Sequence, residues 1–293
     1  MKLLTFVRNG RQRLGVKTDA GVVDLAGAGL TCDVMEVIEG GAEKAAELER
    51  AIGGLDLSAS SEYVLDESAL EWGPCVTRPN KIICVGLNYR KHAEETNAAI
   101  PEYPILFNKF NNTLTGHLKP IAVPEVTRKL DYEAELAVVI GKRAKNVAKE
   151  SALEHVFGYA CVNDLSARDL QLRTHQWLLG KTCDDFSPLG PYLVTADEVG
   201  NPNALAIRAI VNGEVRQSSN TSDMIFYVDE IVSYISRHMT LVPGDVILTG
   251  TPEGVVLGLP PERQVYLQPG DEVTIEIEKL GSLTNRFVAE RPS

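Results

Sequence analysis

Two glutamates, Glu133 and Glu135, stand two positions apart in an extended stretch over residues 131–141. Because side chains alternate between the two faces of a strand, both carboxylates point to the same face. The stretch is apolar on both faces, which is typical of a strand buried on both sides. Ionised carboxylates are costly to bury alone, so we expect a cation beside them, such as a metal ion that both can reach. The alternative is an edge strand with two solvated glutamates.

A third carboxylate, Asp164, follows a predicted strand over residues 158–162 and begins a predicted helix over residues 164–179. Asp164 could be the N-cap of that helix, a common role of aspartate, or it could bind the same ion as Glu133 and Glu135. An all-oxygen ligand set without a cysteine or histidine cluster favours Mg²⁺, Mn²⁺ or Ca²⁺ over zinc or copper.

Polar residues follow on the predicted helix and just after it. Arg168, Gln171 and His175 are spaced to share one helix face. Arg168 could bind a carboxylate through two hydrogen bonds, and Gln171 could orient an oxygen atom; the alternative is a solvated polar face. Lys181 follows the helix, and its default interpretation is a surface lysine.

A histidine and a glutamate lie three residues apart on a predicted helix over residues 90–95. At this spacing Glu95 could orient and polarise His92 as a general base. The spacing itself is common by chance, so it carries little weight without the neighbouring motifs.

Composition limits the function classes. The 293 residues carry a formal net charge of −11, which argues against nucleic acid or an anionic membrane as the main partner. The five cysteines are widely spaced and form no C-x-x-C pair, as expected in a reducing cytoplasm. The N-terminus has too short an apolar run for a signal peptide, and no stretch is long enough to cross a bilayer. We therefore expect a soluble cytoplasmic protein.

The pattern of elements predicts an α+β protein that is mainly β. We expect residues 1–72 to form a small N-terminal α+β unit with three strands and a helix over residues 43–52, and residues 73–293 to form a larger domain that holds the candidate site residues. Later strands are predicted at residues 192–194, 205–211, 215–218, 246–249 and 272–277, with one helix at 228–239. Regular βαβ alternation and nucleotide-binding glycine motifs are missing from the sequence.

Distinctive motifs occupy six segments in order along the chain: residues 86–95, 131–141, 162–171, 179–182, 211–221 and 244–254. Together they resemble the fumarylacetoacetate hydrolase superfamily over about residues 80–288. The resemblance is greatest to a bacterial branch that includes acylpyruvate hydrolases, oxaloacetate decarboxylases and hydroxymuconate-type isomerases. It implies a β-roll of mixed sheets behind a variable N-terminal domain, usually in a homodimer.

The resemblance also implies a metal site and a catalytic pair. Mg²⁺ or Mn²⁺ would be held by Glu133, Glu135 and Asp164. His92 and Glu95 would form a dyad on a segment that orders over bound substrate.

Four further residues would contact the substrate by the same resemblance: Arg168, Gln171, Lys181 and Thr251. Lys181 would also help to neutralise charge that develops during the reaction.

The leading functional hypothesis is hydrolysis of a carbon–carbon bond in a small 2-oxo or 2,4-dioxo acid. A 2-oxo carboxylate can chelate the ion, which then stabilises the enolate that remains when the bond breaks. His92, backed by Glu95, would deprotonate the attacking water. The same site could instead serve oxaloacetate decarboxylation, or isomerisation or hydration of 2-hydroxyhepta-2,4-diene-1,7-dioate.

Two hypotheses from other classes stay open. Glu133 and Glu135 could be the acid and base of an inverting glycosidase, although both come from one strand face and few aromatic residues are available to stack on a sugar. The chain could also be a catalytically silent binding protein of the same fold, which an intact His92–Glu95 pair argues against.

Overall fold

The computed structural model describes residues 1–58 and 61–290, and its backbone is dominated by strands. The strands are β1 (Lys2–Arg8), β2 (Arg11–Thr18), β3 (Gly21–Asp24), β4 (Val64–Leu65), β5 (Glu71–Trp72), β6 (Ile82–Gly86), β7 (Ile105–Lys109), β8 (Leu114–Thr115), β9 (Ile121–Val123), β10 (Leu130–Asp131), β11 (Ala134–Ile140), β12 (Val156–Asn163), β13 (Ser166–Ala167), β14 (Ser187–Thr195), β15 (Ala206–Val211), β16 (Glu214–Asn220), β17 (Val246–Leu248), β18 (Glu272–Ile277) and β19 (Gly281–Ala289). The α-helices are α1 (Val34–Gly53), α2 (Arg90–Glu95), α3 (Arg168–Gln171), α4 (Leu178–Lys181), α5 (Ala196–Val199) and α6 (Val228–His238).

The strands form a twelve-stranded sheet, a five-stranded sheet and a two-stranded ribbon. Ten strands of the large sheet follow the order β4-β3-β2-β1-β14-β12-β11-β17-β6-β7, and the other two branch from it, β5 beside β1 and β8 beside β14. The five-stranded sheet has the order β16-β15-β18-β19-β9. Both sheets contain parallel and antiparallel pairs. The predicted α+β class with mixed sheets is therefore confirmed. Within the described ranges, no helix is both long and apolar enough to span a membrane.

Strand β11 lies in the interior of the large sheet, between β12 and β17. Its even-numbered residues pack into a core shared with α6 and the five-stranded sheet, whereas Ala137 and Val139 pack into a second core shared with α1 and β1–β3. Every residue of β11 is buried. The prediction of a strand buried on both faces is confirmed, and the edge-strand alternative is wrong.

The N-terminal residues extend the same sheet. Strand β1 pairs with β14, and Leu3 shares a core with Val139 and Leu189 from the central strands. The sheet and one core thus cross the boundary predicted between residues 72 and 73, and the division into two domains stays a prediction.

The helix predicted over residues 164–179 is wrong. The chain instead forms β13, which pairs with β10, then the short helices α3 and α4 with irregular backbone between them. Leu172 and Leu179 are 61% and 57% exposed, so a continuous helix would have little apolar surface to bury. At Gly180 a side chain would meet the backbone nitrogen of Gln171 at 2.4 Å, which shows how tightly the two short helices pack.

Further elements differ from the predictions, and the short elements β4, β5, β8, β9 and α5 were not predicted. Helix α1 begins at Val34 rather than Glu43 because Asp33 and Glu36 form a capping box, and the helix is interrupted at Gly41. Strand β19 was not predicted, although its buried and exposed residues alternate beside β18. The other predicted strands agree with the structure to within a few residues.

Candidate metal centre and active-site cavity

Three buried carboxylates converge where β11 and β12 lie side by side. Glu133 precedes β11, Glu135 lies within it, and Asp164 follows β12. One carboxylate oxygen from each residue lies within 4.8 Å of the other two. The antiparallel register places Ala134 opposite Asn163, so Glu133 and Asp164, the neighbours of this pair, lie beside each other. The Asp164 amide donates a hydrogen bond to the Glu133 carbonyl oxygen at 3.0 Å. The three predicted metal ligands are thus brought together by one strand pair.

Two lysines neutralise part of this cluster. The Lys181 Nζ lies 2.7 Å from both Glu133 Oε2 and Asp164 Oδ2. The Lys109 Nζ lies 2.5 Å from Asp164 Oδ1 and also donates to the Phe186 carbonyl oxygen. Both lysines are only 2% exposed. The surface interpretation of Lys181 is therefore wrong, and Asp164 is an ion-pair partner rather than a helix cap.

Glu135 has no such cation. Among the described residues, no lysine or arginine lies within ion-pair distance of its carboxylate, which accepts a hydrogen bond from the Gly250 amide at 2.8 Å. Burial and the nearby charges of Asp164 and Glu133 raise the pKa of Glu135 well above its ordinary value. Burial also opposes ionisation of Glu133, but Lys181 and Arg168 outweigh it and lower the pKa of Glu133.

The residues present fit a hard divalent cation. The donors are carboxylate oxygens, which suit Mg²⁺, Mn²⁺ or Ca²⁺. Four buried carboxylates, Asp131 included, face three buried cations in the cluster, and Glu135 is the carboxylate left uncompensated. A divalent cation between the three carboxylates would change the net charge of the cluster from negative to positive.

Arg168 is fixed from three sides. Its Nε donates to Asp131 Oδ2 at 2.9 Å, one terminal nitrogen donates to Gln171 Oε1 at 2.9 Å, and the other lies 2.8 Å from Glu133 Oε1. Asp131 also accepts hydrogen bonds from the amides of Val256 and Leu257. The guanidinium is therefore held at a defined position and orientation.

His92 and Glu95 form the predicted pair on α2. The Nδ1 of His92 lies 2.8 Å from Glu95 Oε1, and the other carboxylate oxygen of Glu95 accepts from the Gly254 amide at 2.9 Å. Because Nδ1 is engaged with Glu95, Nε2 is the nitrogen left for a substrate or a water molecule. The pair therefore has the arrangement of an oriented general base.

The carboxylate cluster and the His92–Glu95 pair line one cavity of about 700 Å³. Eight of the nine predicted site residues line it: His92, Glu95, Glu133, Glu135, Arg168, Gln171, Lys181 and Thr251. Asp164 is the ninth and lies behind them, bonded to Lys181. The Thr251 hydroxyl accepts a hydrogen bond from Gln217, whose side-chain oxygen in turn accepts from the Ala134 amide. His175 is exposed in the turn before α4 and does not line the cavity.

Two residues of the site were missed by sequence reasoning. Lys109 ends an unremarkable strand, and Asp131 was considered only as the start of the glutamate stretch. Neither carries a local pattern that separates it from a surface residue. Their roles follow from partners distant in sequence, Asp164 for Lys109 and Arg168 for Asp131.

Comparison with known proteins gives a consistent family. The family model described as "Fumarylacetoacetate (FAA) hydrolase C-terminal" matches residues 81–288. The "Oxaloacetate tautomerase fahd2, mitochondrial" of Xenopus laevis is 44% identical, and the match covers 94% of this chain and 86% of that protein. The "Oxaloacetate tautomerase FAHD2A, mitochondrial" of Bos taurus is 45% identical, with 92% and 84% covered.

Solved structures agree with this family over almost the whole chain. A fumarylacetoacetate hydrolase from Exiguobacterium antarcticum superposes with a TM-score of 0.85 at 38% identity, covering 99% of this chain and all of the other. A maleylpyruvate hydrolase from Sphingobium sp. SYK-6, in complex with manganese(II) and pyruvate, superposes with a TM-score of 0.82 at 30% identity and the same coverage.

Proposed function

The chain belongs to the fumarylacetoacetate hydrolase family, and from that premise we propose that it is a divalent-metal-dependent enzyme that transfers a proton on small 2-oxo acids, with oxaloacetate keto–enol tautomerisation as its reaction. The observation that carries the proposal is that an oriented histidine and the carboxylate cluster line the same cavity. The relatives named oxaloacetate tautomerase support the choice of substrate, because they match more than nine tenths of the chain.

Substrate binding would use the cations of the cluster. Arg168 and Lys181 line the cavity, and both are buried, so an anionic substrate meets them at low dielectric where their attraction is strong. A divalent cation held by Glu133, Glu135 and Asp164 would bind oxygens of a 2-oxo acid and stabilise negative charge that develops on them.

Proton transfer would use the histidine pair. In tautomerisation the C3–H bond of oxaloacetate breaks and an O–H bond forms at the keto oxygen. His92 would take the C3 proton at Nε2 and then return it to the former keto oxygen. The Glu95 carboxylate would stabilise the intervening imidazolium through Nδ1. Arg168 and Lys181 would hold the substrate carboxylates while the proton moves.

A second candidate reaction is carbon–carbon bond hydrolysis of an acylpyruvate. The same pair could activate water for attack on a distal carbonyl, and the maleylpyruvate hydrolase of similar structure supports this possibility. In that case His92 would act on water rather than on the substrate carbon.

The test is conversion of enol-oxaloacetate, followed by its ultraviolet absorbance, in parallel with product analysis for decarboxylation and acylpyruvate hydrolysis. We expect EDTA to abolish turnover and Mg²⁺ or Mn²⁺ to restore it. His92→Ala should lower kcat roughly 10²- to 10⁴-fold, whereas His175→Ala, which changes an exposed histidine outside the cavity, should match wild type. Full turnover by metal-stripped wild type, or by His92→Ala, would contradict the proposal. Faster acylpyruvate cleavage than tautomerisation would favour the second candidate.

A further inference from the structure

Gln217 lies on β16, at the edge of the five-stranded sheet, and its side chain reaches across to the large sheet. Within β16, which the structure describes in full, Gln217 is the one buried residue. Its side-chain oxygen accepts a hydrogen bond from the Ala134 amide, at the start of β11, at 2.9 Å. Its side-chain nitrogen lies 2.8 Å from both the Thr251 hydroxyl oxygen and the Pro252 carbonyl oxygen. Gln217 therefore joins β16 to β11 and to the segment that carries Thr251.

These partners determine which way the side-chain amide of Gln217 points. A backbone amide can only donate, so the side-chain oxygen must face Ala134. A carbonyl can only accept, so the NH₂ group must face Pro252. The second proton of that NH₂ group is donated to the Thr251 hydroxyl oxygen. The orientation is thus determined by backbone groups whose hydrogen-bonding roles cannot change.

The Thr251 hydroxyl consequently acts as an acceptor toward the protein and retains its own proton. Among the described residues, no acceptor lies within hydrogen-bond distance of this hydroxyl, whose one hydrogen bond is the one that it accepts from Gln217. Thr251 is buried and lines the cavity. The proton of this hydroxyl is therefore free to be donated to a ligand in the cavity.

Thr251 lies at the metal end of the cavity. The amide of the preceding residue, Gly250, donates to Glu135 Oε2 at 2.8 Å, so the backbone beside Thr251 is bonded to a candidate metal ligand. The proposed function places the 2-oxo carboxylate of the substrate at this end. An ionised carboxylate accepts hydrogen bonds and cannot donate them, so it is complementary to a hydroxyl that donates.

We propose that Gln217 is a positioning residue that commits the Thr251 hydroxyl to donate its proton to the 2-oxo carboxylate of the substrate. The inference rests on the proposed function, which supplies that carboxylate. Gln217 does not line the cavity, so it acts through Thr251. Without Gln217, the Thr251 and Pro252 oxygens both lose a donor, and the hydroxyl is free to rotate. The family resemblance implies only that Thr251 contacts the substrate.

The test is a double-mutant cycle measured on ligand affinity. Thr251→Val removes the hydroxyl and keeps the side-chain shape, whereas Gln217→Met keeps the side-chain length and removes its hydrogen-bonding groups. Pyruvate, which carries the 2-oxo carboxylate, is titrated by calorimetry in the presence of Mg²⁺. We expect each variant to weaken pyruvate binding roughly tenfold, because each removes one hydrogen bond to a charged group. The double variant should bind pyruvate as Thr251→Val does, to within about twofold.

Two further comparisons separate this role from a merely structural one. Thr251→Ser retains the hydroxyl and should bind pyruvate as wild type does, but not in the Gln217→Met background. Asn285→Leu is the matched control, because Asn285 is a buried amide outside the cavity that donates to the carbonyl oxygens of Gly116 and Lys119. It should lower the midpoint of thermal unfolding and leave the affinity for pyruvate unchanged.

Metal binding shows whether Gln217 acts through Thr251 or through the metal ligands. Gln217 also binds the Ala134 amide, which lies between two of those ligands in the chain. Under the proposal, Gln217→Met binds Mn²⁺ with wild-type affinity in titrations without pyruvate. Loss of Mn²⁺ binding would show that Gln217 supports the metal ligands and would overturn the proposal. If Gln217→Met does not fold, Gln217→Asn replaces it, since it keeps the amide and shortens its reach.

The remaining outcomes distinguish this inference from the proposed function. Wild-type affinity for pyruvate in Gln217→Met, losses that multiply in the double variant, or an equal loss in Asn285→Leu would each overturn the role of Gln217. If wild type binds pyruvate but does not convert enol-oxaloacetate, the proposed reaction fails, and the cycle on pyruvate affinity still decides the role of Gln217. If wild type with Mg²⁺ does not bind pyruvate, the substrate class is wrong and the inference fails with it.

Discussion

Glu133 and Glu135 are two positions apart on one strand face, yet their electrostatic surroundings are opposite. Glu133 is paired with Lys181 and Arg168, which lower its pKa against the effect of burial. Glu135 receives one backbone amide, and burial with two anionic neighbours raises its pKa. Side chains of the protein compensate the charge of Glu133, whereas no described lysine or arginine lies within ion-pair distance of the Glu135 carboxylate.

This contrast predicts opposite effects of the same substitution in metal-free protein. Glu135→Gln should raise the midpoint of thermal unfolding, because it removes an uncompensated buried carboxyl group. Glu133→Gln should lower stability by roughly 3–5 kcal/mol, because it leaves buried cations without their partner. Thermal and denaturant unfolding in EDTA measure both effects.

The pH dependence has a defined sign. A carboxyl group with a raised folded pKa adds stability below its ordinary pKa and loses that contribution as the pH rises. The advantage of Glu135→Gln over wild type should therefore grow between acidic and neutral pH. If Glu135→Gln destabilises the metal-free protein at neutral pH as much as Glu133→Gln does, the account of the cluster is wrong.

How far single residues could be predicted depends on where their partners lie in the sequence. The glutamate pair was found because both side chains belong to one strand with period two. Lys181 was interpreted as a surface residue because its partners, Glu133 and Asp164, are supplied by other elements. Lys109 was not noticed for the same reason. Charge compensation in a buried cluster depends on residues distant in sequence, so the local sequence pattern does not predict it.

At the scale of elements, a turn of 3₁₀ helix packs against the His92–Glu95 pair. In this turn, over Val256–Gly258, Gly258 packs against the Glu95 carboxylate, and the preceding Gly254 donates its amide to the same group. A Cβ on Gly258 would lie 2.4 Å from the Glu95 carboxyl carbon. Glycine at this position lets the turn close on α2.

Gly258→Ala should therefore impair catalysis through Glu95. The added methyl group should displace the carboxylate from His92 and lower kcat at least tenfold, with a smaller change in KM and a shifted pH–rate profile. Gly53→Ala is the matched control, since no atom lies within 4 Å of its added Cβ. An unchanged pH–rate profile in Gly258→Ala would show that the turn does not position the pair.

Elements with strong local signals were predicted well, and those shaped by packing were not. Helix α2 was placed at its observed bounds, and β11 was located by its apolar alternation. Residues 164–179 contain polar residues at helical spacing, but part of this segment forms β13, which pairs with β10. Arg168 in this segment and Lys181 just after it both form ion pairs with Glu133. Tertiary contacts, rather than the helical spacing of its residues, therefore determine the structure of that segment.

At the scale of the whole molecule, the central sheet joins the N-terminal strands to the strands that carry the candidate site. Leu3 and Val16 from the first strands pack in one core with Val139, Ala160 and Leu189. The antiparallel pair of β1 and β14 continues the sheet across the predicted domain boundary. The N-terminal part therefore covers apolar surface that the catalytic part would otherwise expose.

A chain of residues 73–293 should consequently fail to fold on its own. Removing β1 opens an edge of β14, and removing α1 uncovers the core behind β11 and β12, which together favour aggregation. Solubility, circular dichroism and thermal unfolding of this fragment test the prediction. A soluble fragment with a cooperative transition and full activity would instead support two independent domains. The cytoplasmic location and the homodimer stay predictions of the sequence.

The central claim is that Glu133, Glu135 and Asp164 together bind one divalent cation. The most direct measurement is calorimetric titration of metal-free protein with Mn²⁺, for wild type and for Glu135→Ala. We predict one site per chain in wild type and no measurable binding in the variant, with both proteins equally folded by circular dichroism. Binding of Mn²⁺ by Glu135→Ala with wild-type affinity and stoichiometry would contradict the account.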